Sequence, residues 1–196
     1  KIRSGRVCIK ERDITNMSPR RLNKENIRIA FVPEDRMNMG LAGGLSITDN
    51  VMLRSLDSMK GVFLNRQEEK SRTEAIIQKY DISASSPAQI VRDLSGGNIQ
   101  KVLLSREMEM DPDFIITAYP VRGLDVGATN FVYDVLNGEK CRGMGILFIG
   151  EDLDVLMNLC DRIAVLHAGR LMGVVDARSV TKNEIGLMMT GLREGD

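Results

Sequence analysis

Residues 94–97, Leu-Ser-Gly-Gly, constrain the chain most, because they open a helical run and an apolar strand pattern follows it. Gly96 and Gly97 have no Cβ, so the backbone there can approach a bulky anion closely. Ser95 adds a hydroxyl, and the first turn of the helix offers unpaired N–H groups and the positive end of its dipole. A helix start of this kind binds phosphate; a glycine-rich helix start with no ligand is the alternative. Ile99, Val102, Leu103 and Met108 mark the helix, and Phe114-Ile115-Ile116 then leads into Tyr119-Pro120 and Arg122-Gly123-Leu124-Asp125.

That succession resembles the ATP-binding-cassette (ABC) family: signature loop, helix, Walker B strand, D-loop. The resemblance covers nearly the whole chain. It implies an α/β fold, a partial ABC ATPase (P-loop NTPase-like) core with a parallel sheet and an inserted helical subdomain. The expected boundaries are 1–38 and 101–196 for the core and 39–100 for the helical part. It further implies that Ser95, Gly96, Gly97 and Asn98 contact, in trans, ATP held by another cassette, and that Gly123, Leu124 and Asp125 form the D-loop. Glu34, within Val-Pro-Glu-Asp-Arg at 32–36, stands where the family's Q-loop Gln senses Mg²⁺ and the attacking water. An ordinary charged turn is the other reading of that segment.

The sequence also departs from the family. Ala118 and Tyr119 occupy the positions of the metal-holding Asp and the water-polarising Glu, and Glu151 replaces the switch His. A carboxylate at that last position sets like charge beside an anion. No catalytic residue is therefore expected intact, and no metal site. The pattern Gly-x-x-x-x-Gly-Lys-Ser/Thr occurs nowhere, so the primary cradle for the β- and γ-phosphates is missing. The family places it just upstream. The chain is accordingly expected to be a piece truncated after the Walker A loop, inactive alone and weak in nucleotide affinity.

Pro-Glu-Asp-Arg, with Arg-Gly-Leu-Asp-Val-Gly-Ala at 122–128, resembles the second cassette of sugar and nucleoside importers, in which two cassettes share one polypeptide. This implies a C-terminal nucleotide-binding domain that lends its signature loop to the first cassette. The implied partners are that cassette, membrane-spanning permease subunits and, indirectly, a substrate-binding protein. ATP and Mg²⁺ are the implied cofactors of the assembled transporter, at the inner face of the cell membrane. A DNA-maintenance ATPase head would instead show long heptads and a basic face. A translation-associated tandem cassette would show intact Walker B residues and basic linkers. The sequence has neither set.

Charge balance agrees with this. Lys plus Arg and Asp plus Glu number 27 each, so no net field attracts nucleic acid. Cys8, Cys141 and Cys160 lie far apart, without metal-ligand spacing. No apolar run approaches the roughly 20 residues of a membrane-spanning helix.

Pattern and punctuation predict strands over 27–32, 114–118 and 145–149, the last of buried type. Helices are expected over 67–80, 129–136 and 153–160, with a closing one over 181–189 stopped by Gly191. Ser46 to Asp49 has the outline of a capping box. Residues 163–166 and 171–175 read as a hairpin turning at Gly169, with the lone histidine, His167, structural or solvated. Uncovering of a sheet edge by truncation leads to an expectation of self-association.

Overall fold

The computed structural model describes residues 1–55 and 65–192. They divide into two units, Lys1–Leu147 and Phe148–Asp196.

In the first unit, β1 (Cys8–Ile9) and β2 (Arg12–Asp13) form a small hairpin. Lys10 and Glu11 both have positive φ at its two-residue turn. Helix α1 (Pro19–Lys24) starts on the Ser18 cap with Pro at its first turn, where the missing N–H costs nothing. Strand β3 (Ile29–Val32) runs parallel to β4 (Phe114–Ala118), with Ile29 opposite Phe114 and Val32 opposite Thr117. Strand β5 (Gly145–Ile149) follows β4 in the order β3-β4-β5. Between β3 and β4 come a π-helical turn (Arg36–Gly40), α2 (Ile47–Ser55), α3 (Arg66–Lys79), a 3₁₀ turn (Val91–Asp93) and α4 (Gly96–Met108). Within 39–100 the described residues are helical or irregular, apart from one antiparallel bridge between Ser46 and Ile90.

The sequence foresees most of these elements, but two differ. The helix expected over 129–136 is α5 (Val126–Cys141), which begins earlier because Asp125 caps it. The segment after β3, read as a Q-loop or a charged turn, is wound into the π turn by Asp35 Oδ1, which accepts from the N–H groups of Met37 and Asn38. The capping box of α2 forms as read, with Asp49 N donating to Ser46 Oγ at 3.0 Å and Ser46 N donating back to Asp49 Oδ2 at 3.3 Å.

Helix α4 packs on β3, α2 and α5, and a buried ionic knot fixes it there. The carboxylate of Glu107, 2% exposed, pairs with Arg106 at 2.8 Å and Arg54 at 3.0 Å. It also accepts from Phe31 N at 3.2 Å. Arg54 in turn donates to Ile29 O at 2.9 Å. Two side chains thus satisfy the edge of β3 that faces away from β4, where an unpaired strand would otherwise invite another.

One face of the sheet, with Ala30, Val32, Ile115 and Thr117, is buried. The opposite face carries Ile29, Phe31, Phe114 and Ile116 and is partly open. A Cβ on Gly145 would strike the Phe114 ring at 2.5 Å, so Gly145, and by alternation Leu147, belong to that open face. The strand expected to be buried is therefore apolar but uncovered on one side, with Leu147 48% exposed. Parallel sheets are ordinarily covered on both faces.

The second unit holds α6 (Leu153–Leu159), the antiparallel pair β6 (Arg162–His167) and β7 (Arg170–Asp176), and α7 (Lys182–Met189). Ile163, Val165, Ala177 and Ile185 form its core. The hairpin turns on Ala168 and Gly169, both at positive φ. Thr181 and Glu184 make a complete capping box at α7, and His167 Nδ1 hydrogen-bonds Met189 O at 2.8 Å.

Lys10 donates to Asp113 Oδ1 at 2.5 Å and Arg28 N to its Oδ2 at 3.0 Å; these bonds hold the Asp113 carboxyl below its usual range. A carboxylate depressed in the folded state stabilises it above the unfolded value, and that contribution is lost as pH falls through the folded one. Asp113→Asn is expected to lower the urea midpoint at pH 7. The difference from wild type should shrink as the pH drops below about 4. An undiminished difference in acid would show that the Asp113 charge is not what anchors the hairpin.

Candidate functional site

The carboxyl ends of the strands in a parallel sheet are where such folds bind ligands. In the first unit those ends are the loop after β3 and the turn after β4, and the first turns of α4 and α5 meet nearby in the same unit.

At α4, Ser95 is an exposed N-cap whose Oγ accepts from Asn98 N at 3.4 Å and from Asn98 Nδ2 at 2.8 Å. Its own O–H makes no hydrogen bond among the described residues and is free to donate. Asn98 is an internal brace, since its Oδ1 also accepts from Ser83 N at 2.7 Å. Lys101 binds Asp81 O at 2.5 Å and lies 5.1 Å from the Phe131 ring centroid, tying the helix to the loop after α3 and to α5. A Cβ on Gly96 would meet nothing within 4 Å. The outer side of the first turn of α4 is thus open, with a hydroxyl and helix-terminal N–H groups facing out.

Gly97 differs from its neighbour. A Cβ there would sit 3.0 Å from Ala128 Cβ and 3.4 Å from Asp125 Oδ2. Asp125 caps α5 by accepting from Ala128 N at 2.9 Å. Gly97 is thus where the starts of α4 and α5 touch. Nothing would crowd a Cβ on Gly123, though its φ of +69° favours glycine, and Leu124 N closes the turn onto Val121 O at 3.1 Å.

At the strand ends, Ala118 ends β4 and Tyr119 follows at φ +48°, a conformation that costs a bulky residue about 1–3 kcal/mol. The Arg122 guanidinium stands 5.9 Å from the Tyr119 ring centroid and donates to Glu34 Oε1. Arg36 Nη2 donates to Arg122 O at 2.5 Å, and burial pulls the Arg36 guanidinium below its usual value. The structure therefore joins Glu34 to the Tyr119–Arg122 turn and joins Gly97 to Asp125. It puts Glu151 in the second unit, exposed beside Asp152, the cap of α6. Sequence reasoning missed Arg122 and Arg36 as partners of Glu34. It also missed Gln100, fully buried in α4 with neither amide atom hydrogen-bonded.

The family resemblance implies Mg²⁺ at these strand ends, and the donor set does not fit it. Ala118 offers a methyl group, Tyr119 a phenol, and the Glu34 carboxylate is engaged by Arg122. Among the described residues no group of three or more His, Cys, Asp or Glu side chains converges. A hard divalent cation requires several oxygen ligands.

No family model matches the chain. It is 34% identical to the nucleoside import ATP-binding protein NupA of Lactococcus lactis subsp. cremoris, over 97% of this chain and 38% of that protein. It is 36% identical to the guanosine import ATP-binding protein NupO of Bacillus subtilis, over 96% and 37%. With the ribose import ATP-binding protein RbsA of Bacillus cereus the figures are 32%, 96% and 38%. The chain thus spans under two-fifths of the length of these relatives. Its fold matches a dimeric ATP-binding cassette solved in a post-hydrolysis state with ADP and Pi, at TM-score 0.73 and 20% identity, over 91% of this chain and 75% of that one. The cassette cbiO1 of Clostridium perfringens gives 0.70 and 21%, over 97% and 73%. The chain belongs to the ATP-binding-cassette ATPases and has their α/β fold with a parallel sheet.

The two glycines separate experimentally. Gly97→Ala is expected to lower stability by about 1–3 kcal/mol through overpacking. Gly96→Ala should be neutral or stabilising by up to about 1 kcal/mol. Adding Ala128→Gly to Gly97→Ala should raise the unfolding midpoint again. Equal effects at 96 and 97 would mean that the helix starts do not meet at Gly97.

Proposed function

We propose that this chain is the signature-bearing part of the C-terminal nucleotide-binding domain of an importer for nucleosides or simple sugars. It acts on ATP held by the first cassette of the same polypeptide. The observation that carries this reading is the open first turn of α4, where Ser95 keeps a free O–H and Gly96 leaves room for an incoming phosphate. The relatives' names, all import ATP-binding proteins, support the transport class. In the protein's own half of the pair the degenerate positions are Ala118 and Tyr119 and, in the second unit, Glu151. ATP, with Mg²⁺ brought to the partner's site, is the cofactor of the assembly.

In this reading residues 39–100 are the helical subdomain, and 1–38 with 101–196 the cassette core. The helical part meets the permease, for which exposed Met39 and Leu53 supply apolar surface. A substrate-binding protein takes part only through that permease. No helix among the described residues is long and apolar enough to cross a membrane, so attachment at the inner face of the membrane runs through the permease. The open sheet face around Phe31, Phe114 and Leu147 is covered by a further segment of the same polypeptide; without it, copies of the chain associate.

Gly96→Asp in the reconstituted transporter is the direct test. At 96 a carboxylate meets only what approaches from outside, whereas at 97 it would collide with Asp125 in the same chain. Hydrolysis should fall by about 10³–10⁵, the loss that follows removal of a transition-state charge contact in phosphoryl transfer. Tyr119→Phe should keep turnover within a few-fold. A silent Gly96→Asp together with an inactivating Tyr119→Phe would reverse the roles of the two sites.

A further inference from the structure

The loop after β3 and the turn after β4 are held together by a positive charge. Arg122 makes three kinds of contact at once. Its guanidinium donates to Glu34 Oε1, it faces the Tyr119 ring with 5.9 Å from Cζ to the centroid, and its carbonyl accepts from Arg36 Nη2 at 2.5 Å. Tyr119 keeps a left-handed backbone in the middle of this cluster, a conformation that persists only where the surroundings over-determine it.

We propose that Arg122 is a built-in cation: by taking the carboxylate of Glu34 it clamps the loop after β3 to the turn after β4 without a divalent ion. The charge count supports this. Glu34 is the carboxylate that Arg122 neutralises, while its neighbour Asp35 is taken up by Met37 and Asn38 in the π turn. A second cation arriving there would compete with Arg122 for Glu34 and would be repelled by Arg122 and Arg36. The planar guanidinium suits the task, because it pairs with a carboxylate and stacks on an aromatic ring at the same time, which an ammonium group does less well. Arg122 is a positioning residue, since it acts by fixing Glu34 and Tyr119. Resting on the function proposed above, one consequence follows for the transporter. The loop after β3 and the D-loop turn of this domain move together whether or not its own site holds nucleotide.

The test is amide hydrogen exchange on the full chain, read at residues 34–38 and 119–124, with Mg²⁺ as the only added ligand. Arg122→Glu and Glu34→Arg should each speed exchange there by up to about fivefold, the scale of an exposed ion pair. The double reversal should restore most of the protection, and Arg122→Lys should fall between wild type and Arg122→Glu. High salt should narrow the gap between wild type and the single variants. Millimolar Mg²⁺ should leave the wild type unchanged. If a reversal unfolds the chain, Glu34→Gln, near-isosteric and uncharged, takes its place. Single variants that exchange like wild type, a double reversal no slower than the singles, or slowing by Mg²⁺ that depends on Glu34 would each overturn the proposal. None of these readouts involves ATP or transport, so the proposed function stands or falls separately.

Discussion

A carboxylate buried to 2% exposure is tolerable only if its charge is met from several sides. Around Glu107 that condition is fulfilled by Arg106, by Arg54 and by the N–H of Phe31. These contacts reach from α4 to α2 and to the outer edge of β3. With α4 held at its far end by charge and along its length by Val102, Leu103 and Leu104, its first turn has little freedom. The placement of Ser95 and of the two glycines follows from that. Removing Arg106 or Arg54 would leave the Glu107 charge short of partners in a dry place, which costs more than the bond is worth.

Elements whose cause is local were legible from the residues. Apolar runs make β4 and β5 visible, and Ser95 and the Ser46–Asp49 pair announce helix starts. Features set by distant partners were hidden. Glu107 reads as a surface charge on an amphipathic helix, because nothing beside it in sequence hints at Arg54 or the β3 edge. The partner of Glu34 lies 88 positions away, at a residue whose wording suggests only a D-loop. Helix α5 starts ahead of its apolar pattern because Asp125, a residue of the D-loop wording, is also its cap. The open side of β5 was unreadable, since an apolar strand carries the same pattern whether its cover is present or not.

Around Asp125 ordinary packing alone calls for small residues at the starts of two helices. One carboxylate oxygen takes the Ala128 N–H, and a Cβ on Gly127 would come within 3.2 Å of it. The other oxygen lies against Gly97. Small residues line this contact because the starts of two helices are drawn together on one acid. A glycine with open space beside it and a glycine kept small for a neighbouring helix therefore stand side by side at 96 and 97, indistinguishable as letters and different in their surroundings.

The open β5 face has a colloidal consequence. With 27 positive and 27 negative side chains, the chain carries no net charge near neutral pH. Molecules that approach one another meet no long-range repulsion. Leu147 on β5, and Leu166 and Leu171 on the hairpin of the second unit, are each exposed apolar side chains. Solubility should therefore be lowest near neutrality and rise on either side of it as the balance of charge is broken.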